Sequence, residues 1–510
     1  MIWLRRTVQG TCLLGFVLLF LRARFPFHPD PAPDLLLRAS PLAPLFVGWV
    51  ERAIPWNLWP GLLVLAMTPW LGRFFCGWFC PLGSLLDLVG RWLAPSSPER
   101  TGSQTPAWPR AKYLLLWAMV VAATGGLALW TWFDPLGLLN RGMAVVLYPI
   151  GTWLVLGLLG LLALVPGAEG LAAAGRAWIK RWIMPEPQAL PAFLWPTLIF
   201  FLGVLTTEWV ARRWWCRSLC PVGALLGLCA RFRVWPRQVD QTCVQCRQCA
   251  RRCPMGAIPP DDVTATSPLE CTVCLECLDH CPVGIRAISF GPARPTGHPL
   301  PVAAGRRSFL QAAGLGLLAA AGHRLAHPDP EGRARLLRPP GARPEPAFLD
   351  RCIRCLACVR VCASNGACLH PTGLEFGPAA LWTPRAIMKT GYCEYNCNLC
   401  GEVCPTGAIR RLPLPEKQKR PMGLAYFNKN LCIPYARFTD CLVCEEHCPL
   451  PAKAIQIHER EVELPGGGQT IVKFPYVVRE RCIGCGICEH KCPLPGSPGV
   501  YVVAENEQRA

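Results

Sequence analysis

Twenty-four of the chain's 31 cysteines fall in six tight groups of four, and this spacing constrains everything else the sequence can build. Cysteines two or three residues apart cannot pair among themselves as disulfides without severe strain. Metal ligation is the natural use of such spacing. The first two groups are Cys243, Cys246, Cys249, Cys253 and Cys271, Cys274, Cys277, Cys281, each C-x2-C-x2-C-x3-C followed by proline. This is the bacterial pattern for two [4Fe-4S] clusters, in which the fourth cysteine of each group ligates the other cluster. It predicts one cluster on Cys243, Cys246, Cys249 and Cys281, and a second on Cys271, Cys274, Cys277 and Cys253. Structural zinc sites pair two C-x2-C halves and have no use for a third cysteine two residues on.

Four more groups follow: Cys352, Cys355, Cys358, Cys362; Cys393, Cys397, Cys400, Cys404; Cys432, Cys441, Cys444, Cys448; and Cys482, Cys485, Cys488, Cys492. The second of these has a longer first gap, the third has a loop between Cys432 and Cys441, and Cys362 precedes alanine instead of proline. Each departure changes a local loop and keeps four thiolates, so all four read as ligand sets. Cys368, Cys12 and Cys229 have no place in the pattern and read as small packing residues.

Apolar residues make up 52% of the chain, the mean hydropathy is positive, and the long uncharged stretches stop near residue 230. Runs at about 8–22, 57–72, 113–133, 143–165 and 190–211 are candidate spanning helices. Arg5, Arg6 and Arg73 place the N-terminus and residues 73–112 in the cytoplasm by the positive-inside bias, with 25–55 and Asp134-Pro135-Leu136 outside. Arg212 and Arg213 favour an even number of crossings, so 143–189 either re-enters from the outer face or crosses twice. The net charge of +19 arises at the ends of apolar runs and in linkers. It forms no stripe interleaved with stacking aromatics, and nucleic-acid binding is not expected.

Between the cysteine blocks, Gly305-Arg306-Arg307-Ser308-Phe309-Leu310-Gln311 leads into a weakly apolar run, Ala312 to Ala321, and a proline-rich stretch to about 348. Two readings stand: an internal twin-arginine export signal, or a start-transfer helix flanked by two arginines. Both send the distal block outward. Ala319-Ala320-Ala321 has the look of a cleavage site.

Cys76-Gly77-Trp78-Phe79-Cys80-Pro81 and Cys216-Arg217-Ser218-Leu219-Cys220-Pro221 each follow an apolar run, an internal C-x3-C-P repeat. Cys76, Cys80, Cys216 and Cys220 could together ligate one metal centre, or each motif could be a helix-terminating turn whose cysteines pack or stay free. With Asp134-Pro135-Leu136 and the two-cluster block downstream, residues 1–290 resemble the NapH family of membrane quinol-dehydrogenase polyferredoxins, whose relatives are linked to nitrous-oxide respiration and methylamine oxidation. Residues 349–504 resemble the four-cluster accessory ferredoxins of the NapG type. That second resemblance implies that the outer groups exchange ligands, and the inner groups likewise. Cys492 then completes Cys352, Cys355 and Cys358, and Cys362 completes Cys482, Cys485 and Cys488. Cys448 completes Cys393, Cys397 and Cys400, and Cys404 completes Cys432, Cys441 and Cys444.

The expected architecture is an α-helical membrane domain plus α+β bacterial-ferredoxin-like [4Fe-4S] domains. The domains are a transmembrane part (1–235), a cytoplasmic two-cluster domain (236–290), a linker (291–348) and a periplasmic four-cluster domain (349–510). No histidine lies in an apolar run and there is no C-x2-C-H, so haem is not expected. Residues 25–55 are too few for the flavin domain of the nitrous-oxide relatives. Gly314-Leu315-Gly316 is the sole echo of a dinucleotide loop and reads as apolar filler. The expected function is relay of electrons through six [4Fe-4S] clusters from quinol in the inner membrane to a periplasmic redox protein, a c-type cytochrome, reductase or dehydrogenase. The alternatives are an accessory factor supplying electrons or metal to a maturing periplasmic metalloenzyme, and a zinc-bound scaffold.

Overall fold

The computed structural model describes residues 2–28, 30–93, 108, 111–182, 193–292, 305–325, 336–463 and 467–509. The linker stretches 293–304 and 326–335 lie outside these residues.

Helices dominate the chain up to residue 230. Ile2–Arg22 has 21 residues, about 31 Å at 1.5 Å per residue, which matches a hydrocarbon core. Asp134 starts the other long helix: its carboxylate accepts from the Gly137 amide at 2.8 Å, and Pro135 occupies the first position, where no N–H is needed. Pro135–Leu162 then runs on, with a π-turn at Met143–Leu147. Among the described residues, these two helices are long and apolar enough to cross a membrane by length and composition.

The other expected spans are shorter than the apolar runs suggested. Trp59–Leu71 contains Pro69 and stops at Gly72 (φ 69°). The 113–133 run splits into Ala111–Thr124 and Trp130–Phe133, with Gly126 (φ 87°) in the left-handed conformation that ends helices at no Cβ cost. The 190–211 run holds Leu194–Thr206. Where 143–189 left two paths open, Tyr148–Leu162 and Glu169–Trp182 form a helical hairpin, with Leu159 seated against Gly175. Leu14, Leu63, Leu158, Ile199, Leu317 and Leu318 face outward from the helices.

The two cysteine blocks cap opposite ends of this helical layer. At one end, Arg5 meets Glu276 at 2.9 Å, Arg73 meets Glu270 at 3.0 Å, Lys112 joins the same Glu270, and Trp78 donates to the Val273 carbonyl. At the other end, Arg360 donates to the Leu21 carbonyl and lies 4.0 Å from the Tyr148 ring centre. There Arg354 bonds Thr131 and the Ala128 carbonyl, and Trp382 donates to Thr197 at 3.0 Å. Arg5 and Leu21 belong to one helix, and the rise between them is about 24 Å. The blocks are thus held apart by the length of that helix.

Arg306–Leu325 runs beside Ala111–Thr124 in the same direction. Phe309 stacks on Trp117 at 4.6 Å, Gly316 sits against Ala118 and Val121, and Ala320 against Gly125. It carries the chain from the end near the first block to the end near the second.

The first cysteine block closes where Arg237–Val239 pairs antiparallel with Ile288–Phe290. The second divides into two units in tandem. An antiparallel bridge between Ala342 and Ile409 closes one, and pairing of Leu424–Phe427 with Val500–Val503 closes the other. A hairpin, Ile455–Glu463 with Gln469–Val477, projects from the second unit. The block begins earlier than the expected boundary at 349: Arg338, Ala342 and Phe348 are already buried in it, with Arg338 on Glu345 and the Pro384 carbonyl.

Candidate metal centres

The cysteine loops share a backbone signature. In four of the six groups the residues on either side of the second cysteine have positive φ: Gln245 (50°) and Arg247 (61°), Val273 (52°) and Leu275 (62°), Arg354 (54°) and Leu356 (61°), and Gly484 (68°) and Gly486 (76°). A left-handed β-branched residue such as Val273 costs on the order of 1–3 kcal/mol, which the surroundings must offset. Such bends turn successive amides inward, as in backbone nests that hold anions. The strain fits a loop wrapped around a body carrying negative charge. The groups at 393–404 and 432–448 lack this pair of bends, and these are the two whose spacing departs from the pattern.

Four pockets of similar size, about 360, 400, 330 and 350 Å³, are each walled by at least four cysteines. The first brings Cys253 to Cys271, Cys274 and Cys277, the exchange expected from the spacing. Cys243 and Cys246 sense Cys249 electrostatically, and Cys281 packs into the same cluster.

In the second block the fold departs from the exchange that the NapG resemblance implied. Cys362 joins Cys393, Cys397 and Cys400; Cys492 joins Cys432, Cys441 and Cys444; and Cys448 joins Cys482, Cys485 and Cys488. Cys404 is the electrostatic neighbour of Cys352, Cys355 and Cys358. Neighbouring groups therefore exchange with each other, in place of outer with outer and inner with inner. The physical cause is the pair of strand closures. Each ties off a loop containing two consecutive groups, so a fourth cysteine meets only the other group of its own unit. Cys368 is not remote from this chemistry either, since it lines the pocket of Cys362, Cys393, Cys397 and Cys400.

Burial pushes the thiols of Cys274 and Cys485 up to about 12, so they do not ionise alone near neutral pH. A cationic metal centre supplies the charge that lets such thiols ligate as thiolates. Arg237 approaches the Cys249 sulfur at 3.6 Å and adds a donor. Among the described residues, no three His, Cys, Asp or Glu side chains are set to grip a single metal ion. Three closely spaced cysteines joined by a fourth from the neighbouring group suit a multi-iron cube better than a zinc site built from two C-x2-C halves.

The C-x3-C-P cysteines also converge. Each motif begins in one short turn of helix, Phe74–Trp78 or Trp214–Ser218, and its Cys-Pro step starts the next helix. Cys220 caps its helix, its sulfur accepting from the Gly223 amide at 3.3 Å. Cys80 has Cys76 and Cys216 as electrostatic neighbours, and Cys220 has all three others. The motifs are turns, and the turns bring four cysteines together.

A family model described as a 4Fe-4S binding domain matches residues 53–97 and 193–238, the two segments that carry these motifs. Among curated proteins, a methylamine utilization ferredoxin-type protein MauM of Methylorubrum extorquens is 35% identical over 154 residues, 30% of this chain and 66% of that protein. MauM of Methylophilus methylotrophus is 33% identical over 179 residues, 35% of this chain and 75% of its own. The ferredoxin-type protein NapG of Escherichia coli K12 is 34% identical over 161 residues, 30% of this chain and 67% of its own. The chain thus spans about two thirds to three quarters of these relatives, and they cover about a third of it. No solved structure matches.

Proposed function

Since the chain belongs to the ferredoxin-type iron–sulfur proteins of the MauM and NapG kind, we propose that it is a membrane-bound electron carrier that takes electrons from quinol and delivers them to a redox protein outside the cytoplasmic membrane. In this reading a NapH-type membrane half, residues 1–290, is fused to a NapG-type outer half through the Arg306–Leu325 helix. The cysteines of the six groups hold six [4Fe-4S] clusters, each of which, when bound, accepts and releases one electron at a time. The protein's own contribution is to bury the thiolates, aim amides at them and hold the sites in a fixed order.

The observation that carries this reading is the Ile2–Arg22 helix, which touches the first block through Arg5 and the second through Leu21. A carrier that works across a membrane needs cofactor sites on both sides of an apolar layer of that thickness. The outward-facing leucines and the uncharged stretches support that layer. The hairpin at 148–182 supports an even number of crossings before Arg213, with the first block in the cytoplasm. The twin-arginine reading of residues 305–321 remains part of the proposal. The close packing of Ala320 on Gly125 favours a chain left uncut after Ala321.

The test is reduction by a quinol analogue. The anaerobically purified protein in liposomes should lose its broad visible iron–sulfur absorbance on adding quinol, and regain it when an oxidised c-type cytochrome is supplied outside. Clusters reducible by dithionite but never by quinol would overturn the assignment of the donor, and would favour an accessory role in metalloenzyme maturation.

A further inference from the structure

The two C-x3-C-P motifs are longer than they first look. Arginine stands three residues before each first cysteine and glycine three residues after each second one, so Arg73-x2-Cys76-x3-Cys80-Pro81-x-Gly83 is repeated as Arg213-x2-Cys216-x3-Cys220-Pro221-x-Gly223. Each arginine reaches into the other copy. Arg213 donates to the Cys76 carbonyl at 2.9 Å and the Gly83 carbonyl at 3.2 Å. Arg73 lies over Gly223 so closely that a Cβ there would come within 2.7 Å of its Nη2. The arginines thus cross between the repeats, and the glycines make room for them.

The two guanidinium groups differ in how they are satisfied. Arg213 is fully engaged: Asp87 takes its Nε at 2.8 Å and its Nη2 at 2.7 Å, and Nη1 serves the Cys76 carbonyl. Arg73 is 0% exposed and uses only Nη1, on the Leu269 carbonyl and Glu270, while its Nε and Nη2 have no partner. Its electrostatic neighbours include Cys76 and Cys220. Two buried donors of a cation without acceptors are costly, and natural proteins supply an acceptor for them. Cys76 and Cys220 beside it offer sulfurs, which become strong acceptors as thiolates on a metal centre.

We infer that Cys76, Cys80, Cys216 and Cys220 ligate one further iron–sulfur cluster at the junction of the two repeats, with Arg73 donating to its thiolates. This rests on reading the chain as an iron–sulfur electron carrier and adds a seventh centre to it. Four cysteines are the ligand set of both [2Fe-2S] and [4Fe-4S] clusters. The centre extends the first block toward the helices: Cys216 packs against the core that contains Cys249 and Cys253, and Arg213 has Cys274 as an electrostatic neighbour. Arg73 is a positioning residue. Its donors favour the reduced, more negative form of whatever the thiolates hold.

The experiment uses the full chain, purified anaerobically in detergent, and reads iron per chain, zinc per chain and the electron paramagnetic resonance spectrum during a redox titration. Cys76→Ser and Cys216→Ser should each remove the same signal and about two to four iron, while the other clusters stay. Arg73→Gln should keep the iron and lower the midpoint potential of that one signal, a change that a purely structural arginine would not cause. Cys12→Ser should change neither. Iron and spectrum unchanged in both cysteine variants, or zinc in place of the lost iron, would overturn the inference. Iron absent from the wild-type chain as a whole would instead overturn the electron-carrier reading on which it rests.

Discussion

The sulfur of Cys368 lies 3.8 Å from that of Cys362, inside the pocket that also holds Cys393, Cys397 and Cys400. A fifth thiol beside a four-thiol site is a ready substitute. Cys362→Ala should therefore retain nearly all of its iron, whereas Cys362→Ala with Cys368→Ala should lose about four iron per chain. Equal loss in the single and double variants would mean that Cys368 only packs.

The tandem exchange of ligands is tested by Cys404→Ala. Under mild alkylation, newly reactive thiols should be Cys352, Cys355 and Cys358, read by mass spectrometry of peptides. Reactivity at Cys432, Cys441 and Cys444 would instead restore the exchange between the inner groups.

Total metal gives the broadest check. The six cysteine groups should bring about 24 iron and 24 acid-labile sulfide per chain, before any contribution from the C-x3-C-P site. A value near eight after anaerobic reconstitution would leave only the first block as a cluster domain.

Sidedness follows from the opposed blocks. In intact spheroplasts, added protease should cut the projecting Ile455–Glu463 hairpin arm and spare residues 243–281. Replacing Arg306 and Arg307 by Lys should protect both blocks if export is by the twin-arginine route. Export unchanged in that variant would point to ordinary start-transfer.

Arg354 joins the second cysteine block to the helices. It is 1% exposed and donates to the carbonyls of Leu381 at 3.0 Å, Ala379 at 2.7 Å and Ala128 at 3.2 Å, as well as to Thr131. Arg354→Ala leaves several buried carbonyls without a donor and should cost about 3 kcal/mol. The readout is an earlier thermal transition of the second cysteine block, with Arg437→Ala on the exposed surface as the control.

Much of the site was legible as spacing. The six groups, the exchange within 243–281 and the C-x3-C-P repeat all follow from counting residues between cysteines. The positive φ values were not obvious, yet the clue was present in Cys482-Ile483-Gly484-Cys485-Gly486-Ile487-Cys488, where glycine stands at both bent positions. The three other groups bend in the same way with Gln, Val, Leu or Arg, residues that hide the conformation. Exchange in the second block is not legible in the spacing because it depends on the Ala342–Ile409 bridge, a single long-range contact with no local pattern. Helix lengths were overestimated at Pro69 and at Gly125-Gly126, where breakers sit inside runs that hydropathy alone joins together. The arginines that flank the repeat read in sequence as topology signals, because their reach into the opposite copy is a tertiary property.

The contacts between the two halves do not depend on the peptide that joins them. Asn140 reaches the Cys355 carbonyl at 2.8 Å, Arg360 reaches Leu21, and Trp382 donates to Thr197. Two separate polypeptides could make every one of these contacts. What a single chain adds is arithmetic: the partner is always present, at an effective concentration in the millimolar range set by the tether, whatever the expression level. An interface under that condition can be weaker than one between free subunits and still stay closed. The stoichiometry of the two cysteine blocks then becomes a property of translation, with no assembly step able to leave one half orphaned.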